Sequence, residues 1–284
     1  MTTDVVITGT GCPIPTPGRA GPGVLVKYGD LHLQFDAGRS TVLRLTEAGS
    51  GPGKLSAVFL THHHSDHVTG LADLVLTRWV MDRTDNTANL PIVSPEGPSS
   101  HFVERLLDIW DDDLAVRREH TGRTSLPGYD SISFPVPDHP AEVWRSGDVV
   151  VRAGQVRHEP VPRAVGYRIE TPDGVVVISG DTLVCDEMAE LSQGADVLVY
   201  EAMRFSSFDG LPSGRTFVLD YHADTAAIGP QALALDVPTL VLTHLIPPPA
   251  SDEAQQAFAD DVRAGGFTGE LIVADDLTTV SLRA

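Results

Sequence analysis

The segment that most narrows the fold runs from 57 to 75 and reads AVFLTHHHSDHVTGLADLV. An apolar run of strand character ends at Leu60, a polar cluster follows, and from Gly70 the text turns helical, with Leu71, Leu74, Val75 and Arg78 at helical spacing. A strand, a loop carrying His62, His64, Asp66 and His67, and then a helix belong in a layered α/β fold. In such folds the strand ends and the loops after them gather the functional groups.

The rest of the chain repeats this grammar. VVITG, VLVKYG and LHLQFDAG precede the block as strand texts, and VVVRAGQVRH, AVGYRIET, GVVVISGDT, DVLVYEA, VPTLVLTH and ELIVADD follow it. Ser99 is placed to cap a second helix carrying Val103, Leu106, Leu107 and Trp110, and further helices are expected near 223–235 and 252–264. No Ser-, Gly- or Pro-rich tract is long enough to be a linker, so a single domain is expected over 1–284. Hydrophobic residues make up 42% of the chain, enough for a substantial buried core.

The chemistry rests on His-x-His-x-Asp-His. Two histidines two apart on an extended loop can chelate one zinc through imidazole nitrogens, while Asp66 and His67 turn toward a second ion. That block is short of ligands, and three other strand texts supply them: His158 after VVVRAGQVR, Asp181 after VVVISG and His244 after TLVLT. Each alone reads as an ordinary structural histidine or turn aspartate; beside the block they become candidate ligands. His63 is expected to point away from its neighbours, and His32, His101, His120 and His139 have no partner pattern. The run Asp111–Asp113 reads as a solvated helix end rather than a metal cage. Cys12 and Cys185 are too far apart in sequence to form a ligand-type pair and read as small structural residues, which suits a reducing compartment.

Charge bears on the partner. The net charge is −19, Lys27 and Lys54 are the only lysines, and the arginines are scattered, so the sequence offers no basic footprint and nucleic acid is not the expected partner. Arg163 is the arginine placed to approach an anionic substrate. The opening MTTDVVITGTGCPIP lacks a signal-peptide pattern, and no stretch approaches the ~18 apolar residues of a membrane span. A cytoplasmic protein without membrane contact is expected.

Over essentially its full length the chain resembles the metallo-β-lactamase superfamily. The resemblance lies in Asp36 of FDAG, the block from His62 to His67, His158, Asp181 of SGDT and His244, in the family's order. It implies an αββα sandwich, an α/β fold of four layers, and a homodimer. It further implies His62, His64 and His158 on one zinc, Asp66, His67 and His244 on the other, and Asp181 bridging them, with Asp36 supporting the histidine loop. The histidine-rich donor set favours zinc, with manganese or iron as alternatives. Within the superfamily, TGTGCPIPTPGRAGP, Glu201 in YEAM and His222 in YHAD resemble the branch of ribonuclease Z and the arylsulfatase- or alkylsulfatase-like hydrolases. His222 stands in HAD, where the tRNA-processing members usually carry His-Ser-Thr or His-x-Thr.

The expected enzyme is therefore a dinuclear zinc hydrolase. Two zincs lower the pKa of a shared water from ~15.7 toward ~7 and clamp the developing oxyanion. Asp66 is expected to orient that water and take its proton, and His222, oriented by Glu201, to protonate the leaving alkoxide. The substrate expected first is a small-molecule phosphodiester or an aryl or alkyl sulfate. Lactone, thioester and β-lactam hydrolysis share the metals. A tRNA endonuclease ranks below these, because the text between His158 and Asp181 holds two strands and a turn with no room for a basic exosite arm. A noncatalytic metal-binding protein ranks lower still. Pocket residues are expected from 76–90, 135–145 and 203–220, with Trp79, Phe205 and Phe208 as aromatic candidates.

Overall fold

The computed structural model describes residues 2–85, 88–212, 214 and 216–282. Among these residues fourteen strands form two seven-stranded sheets. The first sheet is built from β1 (Thr3–Gly9), β2 (Gly23–Tyr28), β3 (Leu31–Phe35), β4 (Ala57–Phe59), β5 (Leu90–Pro95), β6 (Tyr129–Phe134) and β14 (Thr279–Leu282), in the order β14-β1-β2-β3-β4-β5-β6. The second comprises β7 (Ala141–Ser146), β8 (Val149–Gln155), β9 (Val165–Thr171), β10 (Gly174–Ile178), β11 (Val197–Met203), β12 (Thr239–Ile246) and β13 (Glu270–Val273), in the order β13-β12-β11-β10-β9-β8-β7. Both sheets are mixed: β3 to β6 pair in parallel and so do β10 to β13, while the remaining pairings are antiparallel.

Strand periodicity explains the layers. Val5 and Ile7 face the inter-sheet core while Val6 between them faces the helices; Val24 and Val26 alternate with Leu25 in the same way, and Val241 with Leu240 and Leu242. At the centre of the inter-sheet core Phe59 stacks on Phe35, with ring centroids 4.7 Å apart, and meets Tyr167 and Trp144 edge-on at 5.6 and 5.8 Å. Fully burying a side chain of this kind contributes about 1.5–3 kcal/mol.

Outside the first sheet lie α1 (Thr41–Glu47), α2 (Ser65–Val68), α3 (Leu71–Met81) and α4 (Pro98–Glu104). They bury Leu45, Val68, Leu71, Leu74 and Val103 against it. Helix α5 (Asp111–Thr121) opens on the acidic run Asp111–Asp113 and buries only Leu114. Outside the second sheet α6 (Asp186–Leu191), α7 (Thr225–Ala234) and α8 (Asp252–Ala264) bury Met188, Ile228, Phe258 and Val262. The result is the expected αββα sandwich. No helix among the described residues is long and apolar enough to cross a membrane.

Two local expectations are corrected. The helix expected to carry Val103 through Trp110 stops at Glu104; Gly97, not Ser99, caps it, with the Ser100 hydroxyl accepting the Gly97 N–H at 3.1 Å, and Trp110 belongs to a separate helical turn. His244 does not close its strand, since β12 continues to Ile246.

Candidate metal centre

Strand direction brings the candidate residues to one edge. Asp36 follows β3, the histidine loop follows β4, and Asp181 follows β10. His158 follows β8, which runs with β10 because two antiparallel steps separate them. His244 reaches the same edge by a different device. Glu201 pairs with Thr243 and Ala202 with Leu245, so His244 is the extra residue of a β-bulge, with φ of 47°. A bulge re-aims the side chain it carries without ending the strand.

The histidine loop is pinned at its start. The Thr61 N–H and hydroxyl donate to the two Asp36 carboxylate oxygens, each at 2.8 Å. Gly180 lets the Asp181 loop close on it: Gly180 has φ of 61°, and a Cβ there would sit 2.8 Å from Thr61 Cβ.

Hydrogen bonds fix the imidazole tautomers. His67 Nδ1 donates to Asp36 Oδ2 at 2.7 Å, His158 Nδ1 to the Tyr221 carbonyl at 2.8 Å, and His62 Nδ1 to Thr61 Oγ1 at 3.0 Å. Each bond places a proton on Nδ1 and turns Nε2 inward, as outer partners do for metal-ligating histidines.

Those nitrogens converge. Donor atoms of His62, His64, His158 and Asp181 form one cluster and those of Asp66, His67 and His244 a second, each within 4.8 Å. His64 Nδ1 and His158 Nε2 lie 3.3 Å apart, and both His62 and His158 present Nε2 to Asp181 Oδ2, at 3.8 and 3.9 Å. In the second cluster Asp66 Oδ2 is 3.7 Å from His67 Nε2 and 3.3 Å from His244 Nε2. Asp181 reaches across, with Oδ1 3.3 Å from His67 Nε2 and Oδ2 3.5 Å from His244 Nε2. A tetrahedral ion with bonds of about 2.0–2.1 Å holds its donors about 3.3 Å apart, so these edges fit metal ions with little adjustment. His62 Nε2, His67 Nε2 and Asp181 Oδ1 are buried and make no hydrogen bond. Buried polar atoms in that condition call for partners, and a cation in each cluster would supply them.

The two clusters differ electrostatically. Burial, reinforced by neighbouring imidazoles, holds His62 well below the usual histidine range and His64 at about 4. Burial acts the same way on His67, but Asp181 and Asp36 outweigh it and hold that imidazole well above its ordinary value. Burial disfavours the Asp181 carboxylate, yet His244 and His67 keep it well below the usual carboxylate range.

Beside the clusters His222 Nδ1 donates to Glu201 Oε1 at 2.9 Å, and that oxygen also accepts from the backbone of Thr182 and Ala223. Burial alone would lower His222; the Glu201 charge and hydrogen bond push it up to about 9. The His222 ring stacks on His244 at 5.5 Å and has a donor atom within metal-sharing distance of Asp181 and His244. A residue expected only as a proton donor is therefore also placed among possible ligands.

Other expectations fall outside this edge. His63 joins neither cluster, and His101, His120 and His139 are exposed. Arg163 is exposed at φ of 62° and lies 4.0 Å from Glu96. Trp79 is buried beneath the Arg123 guanidinium, 4.8 Å above its ring, and Phe205 and Phe208 pack on Cys12, Met203 and Ile246. The space beside the histidines is lined by Glu159, Pro160, Val161, Phe217, Asp220 and Tyr221, of which Phe217 and Asp220 fall in the expected segment 203–220. Glu159, Pro160, Val161 and Tyr221 escape sequence reading because they sit in connections without a periodic pattern; Phe217 and Asp220 bound a short helical turn just ahead of Tyr221 and His222.

The description of a β-lactamase superfamily domain matches residues 33–245. The chain is 35% identical over 285 residues to Ribonuclease Z of Mycobacterium bovis (strain BCG / Pasteur 1173P2), covering 98% of each. Among solved structures it is similar to the metallo-β-lactamase fold protein YhfI from Bacillus subtilis, with a TM-score of 0.76 at 21% identity over 99% of this chain and 100% of that one. It is similar also to the short form of human tRNase Z, with a TM-score of 0.69 at 20% identity and the same coverage. At those identities the two structures share its fold.

Proposed function

The chain belongs to the metallo-β-lactamase superfamily and is a metal-dependent hydrolase of ester bonds; from that premise we propose that the bond it cuts is a phosphodiester, with RNA as the substrate class its relatives favour. The observation that carries the proposal is the position of Asp181, whose carboxylate reaches both donor clusters. The nitrogen-rich donors suit two zinc ions, with His62, His64 and His158 holding one, Asp66, His67 and His244 the other, and Asp181 shared. Bound there, such ions supply Lewis acidity toward the phosphoryl oxygen and an acidified water.

The remaining work falls to the chain's own groups. Asp66, at the floor of the second cluster, orients the attacking water and accepts its proton. His222 has Nδ1 engaged by Glu201, which leaves Nε2 to protonate the departing oxygen. Asp36 and the Tyr221 carbonyl hold the imidazoles of His67 and His158 in register.

The RNA assignment revises the expectation from charge and length. The short connection between His158 and Asp181 is weak ground for setting the chain apart from the mycobacterial Ribonuclease Z, because an alignment of 285 residues spanning 98% of each leaves little room for a long insertion in either. A small-molecule phosphodiester remains the second reading, favoured by the net charge of −19, which opposes a polyanion. The test compares a structured RNA carrying a 3′ extension with bis(p-nitrophenyl) phosphate, p-nitrophenyl sulfate, a p-nitrophenyl carboxylic ester, a lactone and a β-lactam. Cleavage of the RNA at one position supports the first reading, and cleavage of the small diester alone supports the second. Turnover confined to the sulfate, carboxylic ester, lactone or β-lactam overturns both.

A further inference from the structure

A pocket of about 380 Å³ opens beside the first donor cluster, and His64 belongs to both. A volume of this size lies in the range of small-ligand sites. Pro160, Val161, Phe217 and Tyr221 give it apolar walls. The Tyr221 ring meets the His158 imidazole edge-on at 5.3 Å, and Phe217 lies 6.3 Å from Tyr221. Phe217 is 56% exposed, so its ring is open to a ligand from the solvent side. Two aromatic faces thus stand at the mouth of the donor clusters.

The charged side chains among the described lining residues are both acidic, Glu159 and Asp220. Two exposed carboxylates repel a second phosphate. They accept hydrogen bonds from exocyclic amino groups, ring N–H groups and sugar hydroxyls. Aromatic faces offer stacking that is tolerant of base identity. Flat rings with a carboxylate rim thus match one kind of substituent on an ester seated against His64 and His158.

We propose that this pocket holds the nucleobase next to the scissile phosphodiester, stacked on Tyr221 and Phe217 with its polar edge toward Asp220 and Glu159. The proposal rests on the phosphodiesterase reading and adds the residues that choose among phosphodiesters. The Tyr221 backbone already holds His158, so one residue ties the base subsite to the donor cluster.

Two esters with the same leaving group test it: thymidine 5′-(p-nitrophenyl phosphate) and methyl p-nitrophenyl phosphate. In the metal-loaded enzyme kcat/KM for the nucleoside ester should exceed that for the methyl ester by about tenfold or more, mainly through KM. Phe217→Leu and Tyr221→Leu should each collapse that ratio, and Tyr221→Phe should retain it. A ratio near one in the unmutated enzyme, or a ratio that survives both leucine variants, overturns the proposal while phosphodiesterase activity stands. If neither ester is cleaved, calorimetric binding of thymidine 5′-monophosphate against methyl phosphate decides the pocket, and the phosphodiesterase reading fails only if the structured RNA with its 3′ extension is left intact as well. Tighter binding of the nucleotide, lost in Phe217→Leu, supports the subsite; equal affinities overturn it.

Discussion

Asp36 Oδ2 lies 2.7 Å from His67 Nδ1 and takes the Thr61 hydroxyl at 2.8 Å, so one buried carboxylate fixes both the start of the histidine loop and the imidazole at its far end. Removing such an outer partner typically costs 10–100-fold in metal affinity. Asp36→Asn should therefore weaken zinc at the second cluster by about that factor, read by competition with a chromophoric chelator. Unchanged affinity would show that the Asp36 bond does not position His67.

Together with Asp181, whose charge acts more strongly on His67, the Asp36 carboxylate is expected to make metal loading pH-dependent. His67 is held above the ordinary histidine range in the metal-free protein, so at neutral pH a metal entering the second cluster displaces its proton. His62 lies well below that range and His64 at about 4, so those two donors are neutral at the same pH. Two-step calorimetry in buffers of different ionisation enthalpy should show proton release tied to the second cluster. Affinity there should rise about tenfold per pH unit until the His67 pKa is passed, while His62 and His64 contribute no such slope to the first cluster above about pH 5. Equal proton release at both steps would contradict the assignment.

The roles proposed for His222 and Glu201 predict that catalysis and metal retention separate. The imidazolium is pushed up to about 9 by Glu201, so the acid form is present at neutral pH and is lost as pH rises. Cations in the adjoining clusters lower that value, which places the alkaline limb of kcat at or below about pH 9. His222→Ala should lose at least 100-fold in kcat with both metals kept, and Glu201→Gln should move the alkaline limb to lower pH. Metal loss in His222→Ala would instead assign His222 to the ligands, as its distance to Asp181 and His244 allows.

The inter-sheet core offers a check independent of activity. Tyr167 is fully buried and its hydroxyl donates to the Leu60 carbonyl at 2.7 Å, immediately before the histidine loop. Tyr167→Phe should cost about 1–2 kcal/mol in denaturant unfolding, because the buried carbonyl loses its partner. A change of under about 0.5 kcal/mol would mean that the carbonyl finds another donor.

How much of this was legible in the sequence differs by element. The block from His62 to His67 is contiguous, so its chemistry shows without any fold; α3 shows Leu71, Leu74 and Val75 at helical spacing, and α7 and α8 open on the caps Asp224 and Ser251. β5 did not announce itself because Pro91 and Pro95 read as breakers; both lie outside its pairing with β4, which involves Ile92 and Val93. His244 read as a strand terminus because a bulge leaves no mark in an apolar run. Trp79 lines cavities away from the histidine loop, a placement set by its packing under Arg123, 44 positions away in the chain. The pocket walls at Val161 and Tyr221 come from separate loops, and only the sheet brings them to His64.

The most direct measurement is metal content by elemental analysis on the same preparation used to follow bis(p-nitrophenyl) phosphate hydrolysis, with and without chelator, for the unmutated chain and Asp181→Ala. The account predicts two zinc ions per chain, hydrolysis abolished by chelator and restored by zinc, and loss of both metal and turnover in Asp181→Ala. Phosphodiester hydrolysis that persists in a metal-free preparation, or a metal-replete protein that cleaves no phosphodiester, would contradict it.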